Sequence, residues 1–241
     1  MAVSGNLPLF VLPMVLVPGE IQSLRIFEPR YRQMLDDCIL DDKPFGMIMT
    51  DPLVHHNGWS GPRAFGCEAE IIIHETKGSN HFIEFVGRRR FKIDKVIDPA
   101  LPPFEDESMA DLIPEIGILP DLETILDRLP DDAEHSKLYL SAEVTFFDDE
   151  HELSEYQQAE LKMTLNGILN KIGGILQIEK DALDDWIEDR TEMVIDESAS
   201  SMFAVAALTI SDPEYKYQLL SCTDLKEVFL QLTRFLAEID V

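Results

Sequence analysis

Charge and hydrophobic period change together near residue 104 of this 241-residue chain. Residues 1–104 hold 13 acidic and 11 basic residues and are nearly balanced; residues 105–241 hold 33 and 9. The first stretch is punctuated by Gly and Pro and carries short β-branched runs, whereas the second carries long segments of helical period. A joint shift of this kind predicts two subdomains, placed at 1–118 and 119–241. The join falls between Pro99 and Pro120, where Pro102, Pro103 and Pro114 interrupt any helix.

In the first part the pattern predicts strands at 7–17, 21–27, 45–49 and 68–75. A pair follows, His81 to Val86 and Arg89 to Ile97, folded at a turn near Gly87. The prolines in 7–17 mark an edge or irregular strand. One helix is predicted from Pro29 to Leu40, with Pro29 at the first helical position, where its missing N–H costs nothing. Asp51 to Arg63, with Asn57–Gly58 and Gly61–Pro62, reads as a loop. Short strands closed by turns around one helix predict a barrel-like antiparallel sheet. In the second part Ser154 and Gln157 form a capping box that opens a helix ending at Gly173–Gly174, with Ile172 on its apolar face. Further helices are predicted at 181–194, 198–208, after Asp212–Pro213, and at 224–239. The fold class is therefore α+β.

The formal charge of −26 argues against nucleic acid, since neutralising a phosphate backbone needs Lys and Arg. It argues equally against anionic lipid. The longest apolar stretch, Leu7 to Pro18, is broken by prolines and falls short of the roughly 20 residues a bilayer span needs. No basic leader with an apolar core opens the chain. Cys38, Cys67 and Cys222 are too sparse for a disulfide framework or a zinc ribbon. These features predict a cytoplasmic chain that needs no cofactor.

Catalytic signatures do not emerge. There is no phosphate-binding loop; Lys77–Gly78–Ser79 reads as an ordinary hairpin turn. No nucleophile elbow is present. Acidic doublets are abundant, which makes them solvated faces rather than an acid–base pair in a cleft. His55–His56 would point to opposite faces of a strand. His74 and His81 flank a turn and could approach each other, yet no histidine belongs to a recognised zinc ligand set. Arg88–Arg89–Arg90 reads as hairpin charge or as partners for local carboxylates.

Other residues carry a family resemblance. The runs Leu7-Pro8-Leu9-Phe10, Val17-Pro18-Gly19, Leu24 through Arg32 (LRIFEPRYR), Phe45-Gly46, Gly66-Cys67-Glu68-Ala69, Gly87-Arg88 and Arg90-Phe91 keep an order and spacing that resemble the Lon N-terminal domain. That domain is the substrate-binding region of the Lon ATP-dependent proteases. Ile26-Phe27-Glu28-Pro29-Arg30-Tyr31 is the most distinctive run. The resemblance implies a PUA-like β pseudo-barrel followed by an α-helical bundle. On this reading Pro18, Gly19, Phe27, Glu28, Pro29, Arg30, Tyr31, Gly46, Gly66, Cys67, Gly87, Arg90 and Phe91 hold the fold. Pro18–Gly19 turns the chain. Glu28 caps or pairs at the helix start, and Arg30 reaches a carboxylate through its fork. Tyr31 buries its ring beside Phe27, and Gly87 permits a hairpin.

The function expected from the resemblance is recognition of unfolded polypeptide or a protein partner, without covalent chemistry. No ATPase or peptidase motif is found, so the chain is expected not to be an enzyme. Phe10, Met14, Trp59 and Phe65 are the candidate contacts, because aromatics and Met make adaptable binding surfaces. The competing reading puts Phe10, Met14 and Phe65 in the core. Two alternatives stand beside it. One is a small-ligand or metal site in the pseudo-barrel using His55, His56, His74 and His81; the other is RNA binding along Arg88–Arg90 and Lys92.

Overall fold

The computed structural model describes residues 3–78, 80–112 and 119–239; Ser79 and Pro114 lie outside them. The chain divides into two units. One comprises 1–16 and 21–147, the other 17–20 and 148–241. The first unit extends to Phe147 because the segment before it supplies the pairing of the strand Ser141–Phe146 and several anchors to the helix Pro29–Asp41.

In that unit the elements are β1 (Val3–Leu12), β2 (Ile21–Ile26), α1 (Pro29–Asp41), β3 (Phe45–His56), β4 (Trp59–Lys77), β5 (Asn80–Ile97), a short 3-10 turn (Ala110–Leu112), α2 (Leu122–Leu126) and β6 (Ser141–Phe146). The strand order is β2-β5-β4-β3-β1-β6, and β6 pairs back onto β5, closing five strands into a pseudo-barrel. The length of β5 makes this possible: His81–Val86 pairs with β2, and Phe91–Ile97 pairs with β6. The predicted hairpin at Gly87 is thus absent, since Gly87 pairs with Ala69 inside one continuous strand. β1 is not an edge strand either. It lies between β3, to which it runs parallel, and β6, so the sheet is not wholly antiparallel. Pro8 is tolerated opposite Ser141 near the end of that pairing, and β2 is the strand at the sheet's edge.

The predicted loop at 51–63 is the tip of a β3–β4 hairpin. Asn57 (φ +45°) and Gly58 (φ +82°) both adopt left-handed backbone, as a two-residue type I′ turn requires.

One core fills the barrel, with Leu7, Leu9, Ile48, Phe91, Ala142 and Val144 among its members. Gly46 and Gly66 exist for Phe91. A Cβ on either would stand 2.8 or 2.5 Å from its ring. The buried side of α1 (Tyr31, Met34, Leu35, Cys38) belongs to the core, together with Phe10, Phe45 and Phe85. The Tyr31 ring lies 4.2 Å from Phe10, and its hydroxyl donates to the Val11 carbonyl at 2.8 Å. Tyr31 therefore buries beside Phe10; Phe27, its expected neighbour, is exposed. Gln33 donates to Ser136 O and accepts from Leu138 N. Asp37 accepts from Lys137 Nζ and the Tyr139 hydroxyl. These bonds tie the segment before β6 to α1.

The second unit holds α3 (Glu155–Ile175), α4 (Lys180–Val194), α5 (Ser200–Thr209), α6 (Pro213–Ser221) and α7 (Leu225–Ile239). Ser154 and Gln157 form the reciprocal capping box that the sequence specifies. Asp212 accepts from Glu214 N at the start of α6. Leu161, Leu165, Met202, Phe203, Leu232 and Leu236 are among its buried residues. Gly173–Gly174 does not end α3, which continues to Ile175. The flexibility of two glycines there is outweighed by packing, since a Cβ on Gly173 would lie 2.3 Å from Leu183.

Candidate cleft on the β unit

The distinctive run 26–31 starts α1 and also walls a cleft. Glu28 occupies the N-cap position without a side-chain cap bond; its carboxylate instead takes a hydrogen bond from Arg30 Nε at 3.0 Å. Thus held, the Arg30 guanidinium lies 3.9 Å from the Trp59 ring centroid and 4.2 Å from that of Tyr31. Cation–π contact with two rings holds its position.

Trp59 reaches Arg30 because the β3–β4 hairpin tip is clamped onto the chain after β5. His56 Nδ1 stands 2.9 Å from Asp98 Oδ1. Asn57 Nδ2 donates to Pro99 O, and Trp59 Nε1 donates to Leu101 O, each at 2.9 Å. Beneath lies a small satellite core of Leu101, Met109, Ile125 and Leu138. The cleft so bounded has a volume of about 430 Å³, with Phe27, Trp59, Phe104 and Leu119 around it and Glu28 and Glu105 as its carboxylates. Phe27 is 55% exposed, unusual for a large aromatic beside an apolar floor.

The four residues singled out for binding are not brought together. Trp59 alone lines the cleft. Phe10 is a correction, because its ring is buried against Tyr31 and Phe45 and presents no surface. Met14 and Phe65 are half-buried away from the cleft, the latter 6.2 Å from Phe147. The residues that sequence reasoning took as fold-holding, Phe27, Glu28 and Arg30, are those that wall it. Their crowding into one run was the available signal. Phe104, Met109 and Leu119 carried none, because they lie in a connection without hydrophobic period.

Other groups are held away from chemistry. Burial, aided by the negative charges of Asp37 and Asp41, pushes the Cys38 thiol up to about 12, so it stays protonated. Burial likewise pushes the Tyr31 phenol up to about 12 and keeps it a hydrogen-bond donor. Among the described residues no group of three or more His, Cys, Asp or Glu is arranged to hold a metal ion. His55 and His56 end β3, opposite Ser60 and Trp59 at the start of β4. His74 and His81 meet at the other end, with His74 Nε2 2.9 Å from His81 Nδ1 and Thr76 Oγ1 3.2 Å from each. The basic run is also engaged. Arg88 pairs with Glu70 and Arg89 with Glu68, while Arg90 is fully buried with its guanidinium over Phe147.

The His81 site carries a pH dependence. Burial lowers the His81 pKa below 6.5, against the opposing pull of Asp36 at 3.6 Å and with help from His74 and Arg32. The unfolded chain then binds this proton more readily than the folded one. His81 therefore contributes stability that is present above about pH 6.5 and is lost as pH falls through the folded-state value. Urea unfolding of wild type and His81→Gln should show a stability difference that narrows from pH 7.5 to 5.5. Parallel pH profiles would contradict this.

The whole chain, not the cleft alone, matches a known family: residues 6–238 fit the substrate-binding domain of ATP-dependent protease La (LON). The chain belongs to the Lon substrate-binding domain family. Among curated proteins none matches. Solved structures that resemble it include a Lon N-terminal domain protein from Xanthomonas campestris. It is 20% identical, with a TM-score of 0.56 over 97% of this chain and 98% of that one. The N-terminal domain of Lon protease from the Mycobacterium avium complex is 14% identical, with a TM-score of 0.60 over 97% and 99%. At such identity the likeness shows the Lon N-terminal fold of β pseudo-barrel and helices. Among the described residues no helix is long and apolar enough to cross a membrane.

Proposed function

We propose that this Lon-family chain recognises unfolded polypeptide non-covalently, by seating a bulky apolar side chain in the cleft between Phe27 and Trp59. The observation that carries this reading is the cleft itself. It combines an apolar floor, two accessible aromatics and an arginine already paired with Glu28. Such a site rewards shape and apolar area more than sequence, as recognition of many different unfolded chains requires. Membership of the substrate-binding family supports the same class of ligand.

The chain has two tryptophans, so Trp186→Phe leaves Trp59 as the only indole. Titrating that variant with reduced, carboxymethylated casein should shift Trp59 emission with saturation in the micromolar range. Phe27→Ser, at an exposed position, should weaken binding about tenfold, equivalent to about 1.4 kcal/mol, without changing thermal stability. A folded sample that binds no unfolded protein, or a Phe27→Ser variant that binds as well as its parent, would refute the proposal.

A further inference from the structure

The second unit presents an apolar surface that the cleft reading does not use. Where α3 ends and turns into α4, Leu176 N donates to Ile172 O, Ile178 N donates to Gly173 O, and Gln177 takes left-handed backbone. The corner is therefore well formed. It nevertheless turns Ile172, Ile175, Leu176 and Ile178 outward, with Ile175 80% and Leu176 65% exposed. Four large aliphatic residues within seven positions are not the scattered single apolar residues of an ordinary surface.

The surrounding charge identifies the occupant. Residues 148–241 carry 21 acidic and 7 basic residues. Glu179, Asp181, Asp184 and Asp185, all exposed, follow the apolar corner and outnumber the exposed Lys171 and Lys180 that flank it. A second copy of this chain would bring those carboxylates against their like, and each copy already carries −26. We infer that the α3–α4 corner is a docking surface for a cationic amphipathic segment of another protein, whose apolar side covers Ile175 and Leu176 while its Lys and Arg residues meet the acidic rim. This surface is independent of the polypeptide cleft. It belongs to the other unit and selects for charge as well as apolarity.

The probe is a fluorescein-labelled helical peptide of leucine and lysine, read by anisotropy against the full chain. Binding should weaken as salt rises and vanish when the lysines are replaced by glutamate. Ile175→Gln with Leu176→Gln, two exposed positions that leave the helix bonds intact, should weaken it at least about tenfold. The Phe27→Ser variant should bind the peptide unchanged, which separates this surface from the cleft. Three results would overturn the inference: polylysine binding as tightly as the amphipathic peptide, unaltered affinity in the double variant, or a self-association in sedimentation that the double variant abolishes.

Discussion

Lys216→Ala should destabilise the helical unit by about 3–5 kcal/mol, the usual cost of stranding one member of a buried ion pair. Lys216 Nζ lies 2.6 Å from Glu20 Oε1, and both side chains are buried. The other Glu20 oxygen accepts from Val17 N at 3.1 Å. This pair joins α6 to the 17–20 segment, which belongs to the helical unit although the residues on either side of it belong to the β unit. Removing the ammonium takes a counter-charge away from 2.6 Å beside a buried carboxylate. Lys216→Met keeps the aliphatic stem and should lose nearly as much, which separates charge from packing. The double replacement Glu20→Gln with Lys216→Met should recover most of the loss, since an uncharged pair pays no desolvation penalty of that size. Urea unfolding followed by helical circular dichroism reads all three. A Lys216→Ala loss below about 1 kcal/mol would place this pair with solvent-exposed ones and contradict its buried geometry.

Phe91→Ala should cost the β unit about 3–5 kcal/mol, at the upper end for a core aromatic. Its ring is fully buried and meets Phe146 edge-on at 6.4 Å. It also lies against Gly46 and Gly66, neither of which has a side chain to move into the space left behind. The cavity therefore stays open, and cavity volume sets the cost. The glycines make the reciprocal prediction. Gly46→Ala collides with the Phe91 and Leu9 side chains, so it should be partly rescued by Phe91→Leu. Gly66→Ala would also place its Cβ 2.7 Å from the Met47 carbonyl oxygen, a backbone atom that no substitution removes, so Phe91→Leu should rescue it poorly. Equal rescue of both would show that the ring alone decides these positions.

The motif glycines show what the family resemblance conveyed and what it left out. It marked Gly46, Gly66 and Phe91 as belonging together, and the barrel shows that they touch. It also marked Phe27, Glu28 and Arg30 as fold residues. Glu28 and Arg30 do order the start of α1, but with Phe27 they also wall the cleft, because Trp59 folds over Arg30 from a hairpin tip 29 positions along the chain. The Asn57–Gly58 turn was legible as a turn. Its consequence, two strands flanking it rather than a loop, was obscured by Pro52 and Pro62 on either side. Ser141–Phe146 gave no strand signal strong enough to stand alone. It becomes β6 only through pairing with β1 and with the far half of β5.

The amino-acid order by itself determined the helix starts at Ser154 and Asp212 and the family. Each of these is encoded by residues a few positions apart. Only the tertiary structure decided that β5 runs unbroken through Gly87, that the unit boundary falls after Phe147, that Phe10 is buried while Phe27 is exposed, and that the α3–α4 corner faces solvent. Those outcomes depend on which surfaces meet. Strand pairing and burial are settled by partners tens to more than a hundred residues distant, so no local pattern can hold them.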